Sequence, residues 1–119
     1  MRVLIVDDSK AMRLIIRRTL RQAGFECEVQ EATNGAEALA QIEKAEPDLV
    51  LSDWNMPEVN GHELLVALRS KGVGVRLGFI TTESTAEMQQ IANAAGASFL
   101  ISKPFTAEQF RSVLAPYLA

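Results

Sequence analysis

Two short, almost wholly apolar runs in this chain each end at an acid, and together they narrow the possible folds sharply. Val3-Leu4-Ile5-Val6 leads into Asp7-Asp8, and Leu49-Val50-Leu51-Ser52 leads into Asp53. Runs this short and this apolar are strands buried on both faces, the habit of parallel sheets. Ligands of open parallel sheets bind outside the carboxyl ends of the strands, where all three acids fall. Converging carboxylates repel: at ~4 Å and an effective dielectric near 20, each like-charge pair costs about 4 kcal/mol. A divalent cation among them would offset that cost, so the pattern points to metal-assisted chemistry at one end of a sheet.

The rest of the chain alternates strand and helix. A first helix starts after Ser9, a good N-cap, carries Met12, Ile15, Ile16, Thr19 and Leu20 on its inner face, and stops at Gly24. Residues 27–32 alternate, with Phe25, Cys27 and Val29 against Glu26, Glu28 and Gln30, which predicts an edge strand with one wet face. Asn34-Gly35 opens a helix with Ala38, Leu39 and Ile42 inward, and Pro47 precedes the third strand. After the loop from Asn55 to Gly61 comes a helix with Leu64, Leu65 and Leu68. The fourth strand is expected at Leu77–Thr81, and a helix with Met88, Ile91, Ala92 and Ala95 follows, ending at Gly96. The fifth strand is expected at Phe99–Ser102. Thr106 and Gln109 then form a capping box, Phe105 staples onto Phe110, and Pro116 ends or kinks the last helix.

Strict alternation implies a doubly wound α/β sheet with helices on both faces. The strand order 2-1-3-4-5 puts strand two at an edge and strands one and three side by side where the winding reverses. Asp7, Asp8 and Asp53 then face one another across the crevice. Strand four ends in Thr81-Thr82 and strand five in Ser102-Lys103-Pro104, which adds a hydroxyl and an ammonium to the same edge. Carboxylate, cation cage, hydroxyl and lysine are the parts of a phosphoryl-transfer site. Oxygen-only ligands suit Mg2+ or Mn2+, not zinc.

With 119 residues, 48% hydrophobic and 23% charged, the chain is expected to form one domain with a real core. A net charge of −3 gives no whole-molecule reason to bind nucleic acid or an anionic membrane. The single cysteine, Cys27, excludes an internal disulfide and suits a small core filler in a reducing compartment. No stretch approaches a membrane span and the first residues lack the layout of a signal peptide, so a cytoplasmic protein is expected.

Over nearly its whole length the chain resembles the response-regulator receiver domains of two-component signalling. The acid pair after strand one, Asp53 after strand three, Thr81 after strand four and Lys103-Pro104 after strand five occur in register. The segment Asp53-Trp54-Asn55-Met56-Pro57 with Gly61 is most similar to the single-domain chemotaxis regulators. The resemblance implies a receiver domain over residues 1–119 in which Asp53 accepts a phosphoryl group from a histidine kinase or phosphotransfer protein. It implies Mg2+ held by Asp8, Asp53 and the Asn55 carbonyl, with Asp7 acting through water. Lys103 would pair with Asp53 and then with the phosphoryl group, and Thr81 rather than Thr82 would donate its hydroxyl. A cis Lys103-Pro104 bond and autodephosphorylation are also implied. Asn55 and Glu83 match the chemotaxis type at two positions that influence phosphoryl lifetime, which implies a short-lived signal.

The family's docking face for the phosphodonor falls on helix one, where Lys10, Arg13, Arg17 and Arg21 recur at helical spacing beside Arg18. That stripe reads equally as a solvated charged face. A downstream protein would meet helix four, strand five and helix five. There the chain departs from the family: Leu100 stands where an aromatic residue usually reports the phosphorylated state, and Phe99 points the other way. His62, the sole histidine, reads as an exposed polar residue. The expected function is a stand-alone phosphorylation switch, not an enzyme in the usual sense. Alternatives are a receiver cut from a longer transcriptional regulator and a small aspartyl phosphatase of haloacid-dehalogenase type, although that type wants two acids one residue apart on strand one. A flavin-binding electron carrier lacks its phosphate loop here.

Overall fold

The structure, a computed structural model, describes residues 1–118. Five strands, β1 (Arg2–Val6), β2 (Glu28–Ala32), β3 (Leu49–Ser52), β4 (Leu77–Thr81) and β5 (Phe99–Ser102), form one parallel sheet in the order β2-β1-β3-β4-β5. Five helices, α1 (Lys10–Gln22), α2 (Gly35–Lys44), α3 (Gly61–Ser70), α4 (Ala86–Ala95) and α5 (Ala107–Leu118), cover its faces.

Because side chains alternate along a strand, each apolar run feeds two cores. From β1, Leu4 and Val6 join Val50, Leu77 and Phe79 under Leu64, Leu65 and Leu68 of α3. Val3 and Ile5 join Leu49, Leu51 and Ile80 under Ile16 and Leu20 of α1 and Phe110 and Leu114 of α5. Removing one such buried leucine to alanine costs about 2–5 kcal/mol. The central strands β1, β3 and β4 are mostly apolar because both sheet faces are covered there. β2 alternates because it is the edge, with Glu28 and Gln30 exposed and Val29 half-buried.

Helix starts are capped by side chains, at Ser9, Asn34 and Thr106 where the sequence signals them and at Thr85 where it was not anticipated. Ser9, Asn34 and Thr85 each accept a backbone N–H from the first turn, a contact worth about 1 kcal/mol. Thr106 and Gln109 exchange reciprocal bonds, and the Phe105 and Phe110 rings lie 4.7 Å apart. Asn60 and Glu63 form a further capping box at the start of α3.

Three expectations need correction. Ile15 is 45% exposed, since the inner stripe of α1 is narrower than its apolar residues suggest. Ile91 is 37% exposed, because α4 buries only Ala92 fully. Pro116 does not end α5, which runs through it to Leu118. The missing donor there removes at most one bond close to the helix end, where the disturbance is smallest.

Candidate functional site

The sheet order delivers the acids to one place. Val6 pairs with Ser52 across β1 and β3, and the Asp53 N–H donates to the Val6 carbonyl at 2.8 Å, so Asp7 and Asp53 leave adjacent strand ends together. One carboxylate oxygen from each of Asp7, Asp8 and Asp53 lies within 4.8 Å of the other two. Asp7 is buried, Asp53 is half-buried and Asp8 is exposed. From the far side of β4, the Lys103 ammonium donates to Asp7 Oδ2 at 3.2 Å and stands 3.6 Å from Asp53 Oδ2.

Asp7 and Asp53 are each held by backbone as well as by charge. Asp7 Oδ1 accepts the Ser9 N–H at 2.9 Å, and Asp53 Oδ1 accepts the Trp54 N–H at 2.8 Å. Asn55, two residues on, is exposed. Burial pushes the Asp53 carboxyl above its ordinary value; Lys103 pulls it down and Asp7 pushes it up again. Three carboxylates against one ammonium leave two negative charges in excess at a partly dry sheet edge. Oxygens bound on opposite sides of one hard divalent cation stand about 4–5 Å apart, so the spacing and the all-oxygen donors fit such an ion.

The other site candidates fall on the same edge. Thr81 ends β4 and is fully buried, whereas Thr82 is exposed. Its Oγ1 accepts the Glu83 N–H at 3.3 Å, and its carbonyl accepts the Lys103 N–H at 2.7 Å, which ties the ends of β4 and β5 together. The Lys103-Pro104 peptide is cis. Gly61 closes the loop beneath Asp53: a Cβ there would stand 2.2 Å from the Asp53 carbonyl oxygen and 2.9 Å from the Phe79 ring.

Several residues have roles the sequence did not reveal. Arg13 and Arg17 do not simply face solvent, since both bond to Glu31 of β2 at 2.7 Å. His62 is half-buried, not exposed, and stacks nearly parallel on Trp54 with centroids 5.6 Å apart. Ser102 and Ser84 share a 2.5 Å hydrogen bond joining β5 to the loop after Thr81. Leu100 packs with the α3-side core, while Phe99 lies across Gly78 and against Tyr117 on the opposite face. Neither residue replaces the other. Among the described residues no helix is long and apolar enough to cross a membrane.

Residues 3–115 match the family described as the response regulator receiver domain. Chemotaxis protein CheY-3 of Vibrio cholerae is 39% identical over 116 residues, covering 96% of this chain and 88% of that protein. Chemotaxis protein CheY1 of Helicobacter pylori is 38% identical over 117 residues, covering 96% and 94%. Among solved structures, Vibrio cholerae chemotaxis protein CheY4 superposes with a TM-score of 0.86 at 38% identity, covering 98% of both chains. A CheY-like receiver domain protein from Methanospirillum hungatei superposes at 0.84 with 30% identity, covering 97% of this chain and 90% of that one.

Proposed function

This chain belongs to the response regulator receiver domain family, and on that premise we propose that Asp53 is the residue through which it works. The reading is of a stand-alone, cytoplasmic response regulator of the chemotaxis type, phosphorylated on Asp53 by a histidine kinase or phosphotransfer protein. The observation that carries it is the convergence of Asp7, Asp8 and Asp53 within 4.8 Å, with Lys103 bridging Asp7 and Asp53. The relatives support the chemotaxis assignment by name.

Asp8, Asp53 and the Asn55 carbonyl would hold Mg2+, with Asp7 engaged through water. The ion supplies positive charge that lets an anionic phosphoryl group approach three carboxylates. An Asp53 carboxylate oxygen attacks phosphorus in line; the bond from phosphorus to the donor imidazole nitrogen breaks, and the electron pair leaves on that nitrogen. Lys103 exchanges its carboxylate contact for a phosphoryl oxygen, and the buried Thr81 hydroxyl donates to another. Water then attacks phosphorus, the bond from phosphorus to the Asp53 oxygen breaks and inorganic phosphate leaves, so Asp53 is restored and the switch resets itself. The donor docks near helix α1, and a downstream protein meets the face of α4, β5 and α5.

Trp54 offers the test, because it is the only tryptophan and its N–H is bonded to Asp53. Its fluorescence is expected to change on titration with Mg2+ and again with acetyl phosphate or beryllofluoride. Asp53→Asn is expected to lose the second response. A phosphodonor response undiminished in that variant would move the acceptor elsewhere.

A further inference from the structure

Arg13 reaches the main chain behind the acid pocket. Its Nη1 donates to the Asp7 carbonyl at 2.6 Å while its Nε donates to Glu31 Oε1 at 2.7 Å, and its side chain is only 11% exposed. The Asp7 N–H in turn donates to the Ala32 carbonyl at 3.1 Å, next to Glu31 on β2. A closed ring results, running from the Asp7 amide through β2 and the Glu31 carboxylate to the Arg13 guanidinium and back to the Asp7 carbonyl. Arg17 Nη2 holds the second Glu31 oxygen at 2.7 Å and keeps that carboxylate aimed at α1.

We propose that Arg13 is a positioning residue of the acid pocket: it fixes the peptide between Asp7 and Asp8, with Glu31 of the edge strand fixing Arg13. This inference rests on the reading of that pocket as a divalent-cation site. The Asp7 carboxylate is already held by Ser9 and Lys103. The Asp7 carbonyl belongs to the peptide that leads into the exposed Asp8, so gripping it sets where the Asp8 carboxylate can reach. Only a planar guanidinium can serve the carbonyl and the carboxylate together in fixed geometry; a lysine ammonium is a single point charge.

Charge and positioning make opposite predictions here, which allows a clean test. As a bare positive charge, Arg13 opposes a cation, and its loss would tighten Mg2+ binding. As a positioning residue, its loss weakens binding. Partners that orient metal ligands typically carry 10–100-fold in affinity, and about tenfold is expected for one such contact.

The experiment titrates Mg2+ against Trp54 fluorescence in wild type, Arg13→Lys, Arg13→Met and the double variant Arg13→Met with Glu31→Gln. Both single variants are expected to raise the Mg2+ Kd about tenfold, with the double variant no weaker than Arg13→Met because both sites belong to one ring. Saturating Mg2+ is expected to restore phosphorylation by acetyl phosphate in Arg13→Lys. An Arg13 that merely stabilises the fold would lower the thermal midpoint in chelator and leave the Kd of the folded variants unchanged, which would overturn the proposal. So would tighter binding in Arg13→Met. A wild type that ignores Mg2+ would instead overturn the cation-site reading itself.

Discussion

Replacing Asp53 with asparagine should stabilise the metal-free protein and reverse that ranking once Mg2+ is present. At an effective dielectric near 20, repulsion from Asp7 across no more than 4.8 Å is worth at least about 3.5 kcal/mol, and attraction to Lys103 across 3.6 Å about 4.6 kcal/mol. The more exposed Asp8 adds roughly 1 kcal/mol of repulsion, so the lysine and the two acids nearly cancel. What remains is desolvation of a carboxylate whose side chain is 13% exposed, a penalty on the order of 1–2 kcal/mol at such a partly buried site. Asparagine removes that penalty and keeps an oxygen for the Trp54 N–H. At neutral pH in chelator, Asp53→Asn is therefore expected to unfold about 4–8 °C higher than wild type. On the proposed reading the variant lacks a ligand, so Mg2+ at 100 times its Kd should stabilise wild type by about 2.7 kcal/mol and carry it past the variant. The pH dependence has a definite sign. Because the folded-state value of Asp53 is raised, its destabilisation is absent below the ordinary value of 3.8 and grows as pH rises through the raised one. The advantage of the variant should therefore close as pH falls toward 3.8. Differential scanning calorimetry of both proteins, with chelator and with Mg2+, tests each part. A variant less stable than wild type in chelator, or equally stabilised by Mg2+, would refute the reasoning.

Other perturbations have equally definite outcomes. Lys103→Ala removes the positive charge between Asp7 and Asp53, so calorimetry in chelator should show lost stability. Titration should show Mg2+ binding retained or tightened, while acetyl phosphate should leave no lasting adduct. Gly61→Ala drives a methyl into the Asp53 carbonyl and the Phe79 ring, and urea unfolding should record a loss of about 1–3 kcal/mol or more. On the proposed reading Asp53 holds Mg2+ as a carboxylate, so the fluorescence-derived Kd should rise on acidification at a pH above the range of an ordinary aspartate.

The parts of this molecule that were legible in the sequence are those governed by short-range pattern. β4 and β5 fall on the predicted residues because short apolar runs bounded by turn signals read as strands, even though β5, the second edge of the sheet, buries only Ile101. The strand order expected of a five-stranded doubly wound sheet agrees with the alternation of β2 at an edge, and that order brings Asp7, Asp8 and Asp53 together. Properties set by distant neighbours were not legible. Ile15 and Ile91 have the spacing of core residues, yet how much of a helix is covered depends on what packs against it. Arg13 looks like one member of a basic stripe; its inward turn depends on Glu31, which the chain places eighteen residues later. The pairing of Ser84 with Ser102 and the stacking of His62 on Trp54 likewise join segments whose proximity no local motif encodes. Leu100 was legible as a departure from the family, and its packing against the α3-side core shows what that position does instead.

The central claim, that three aspartates at the sheet edge gather a divalent cation and leave Asp53 as the nucleophile, is tested most directly by peptide-mapped mass spectrometry after treatment with acetyl phosphate. One phosphoryl group on the peptide containing Asp53 is expected with Mg2+ present, and none with chelator or in Asp53→Asn. Modification of another residue, or equal modification without the metal, would contradict it.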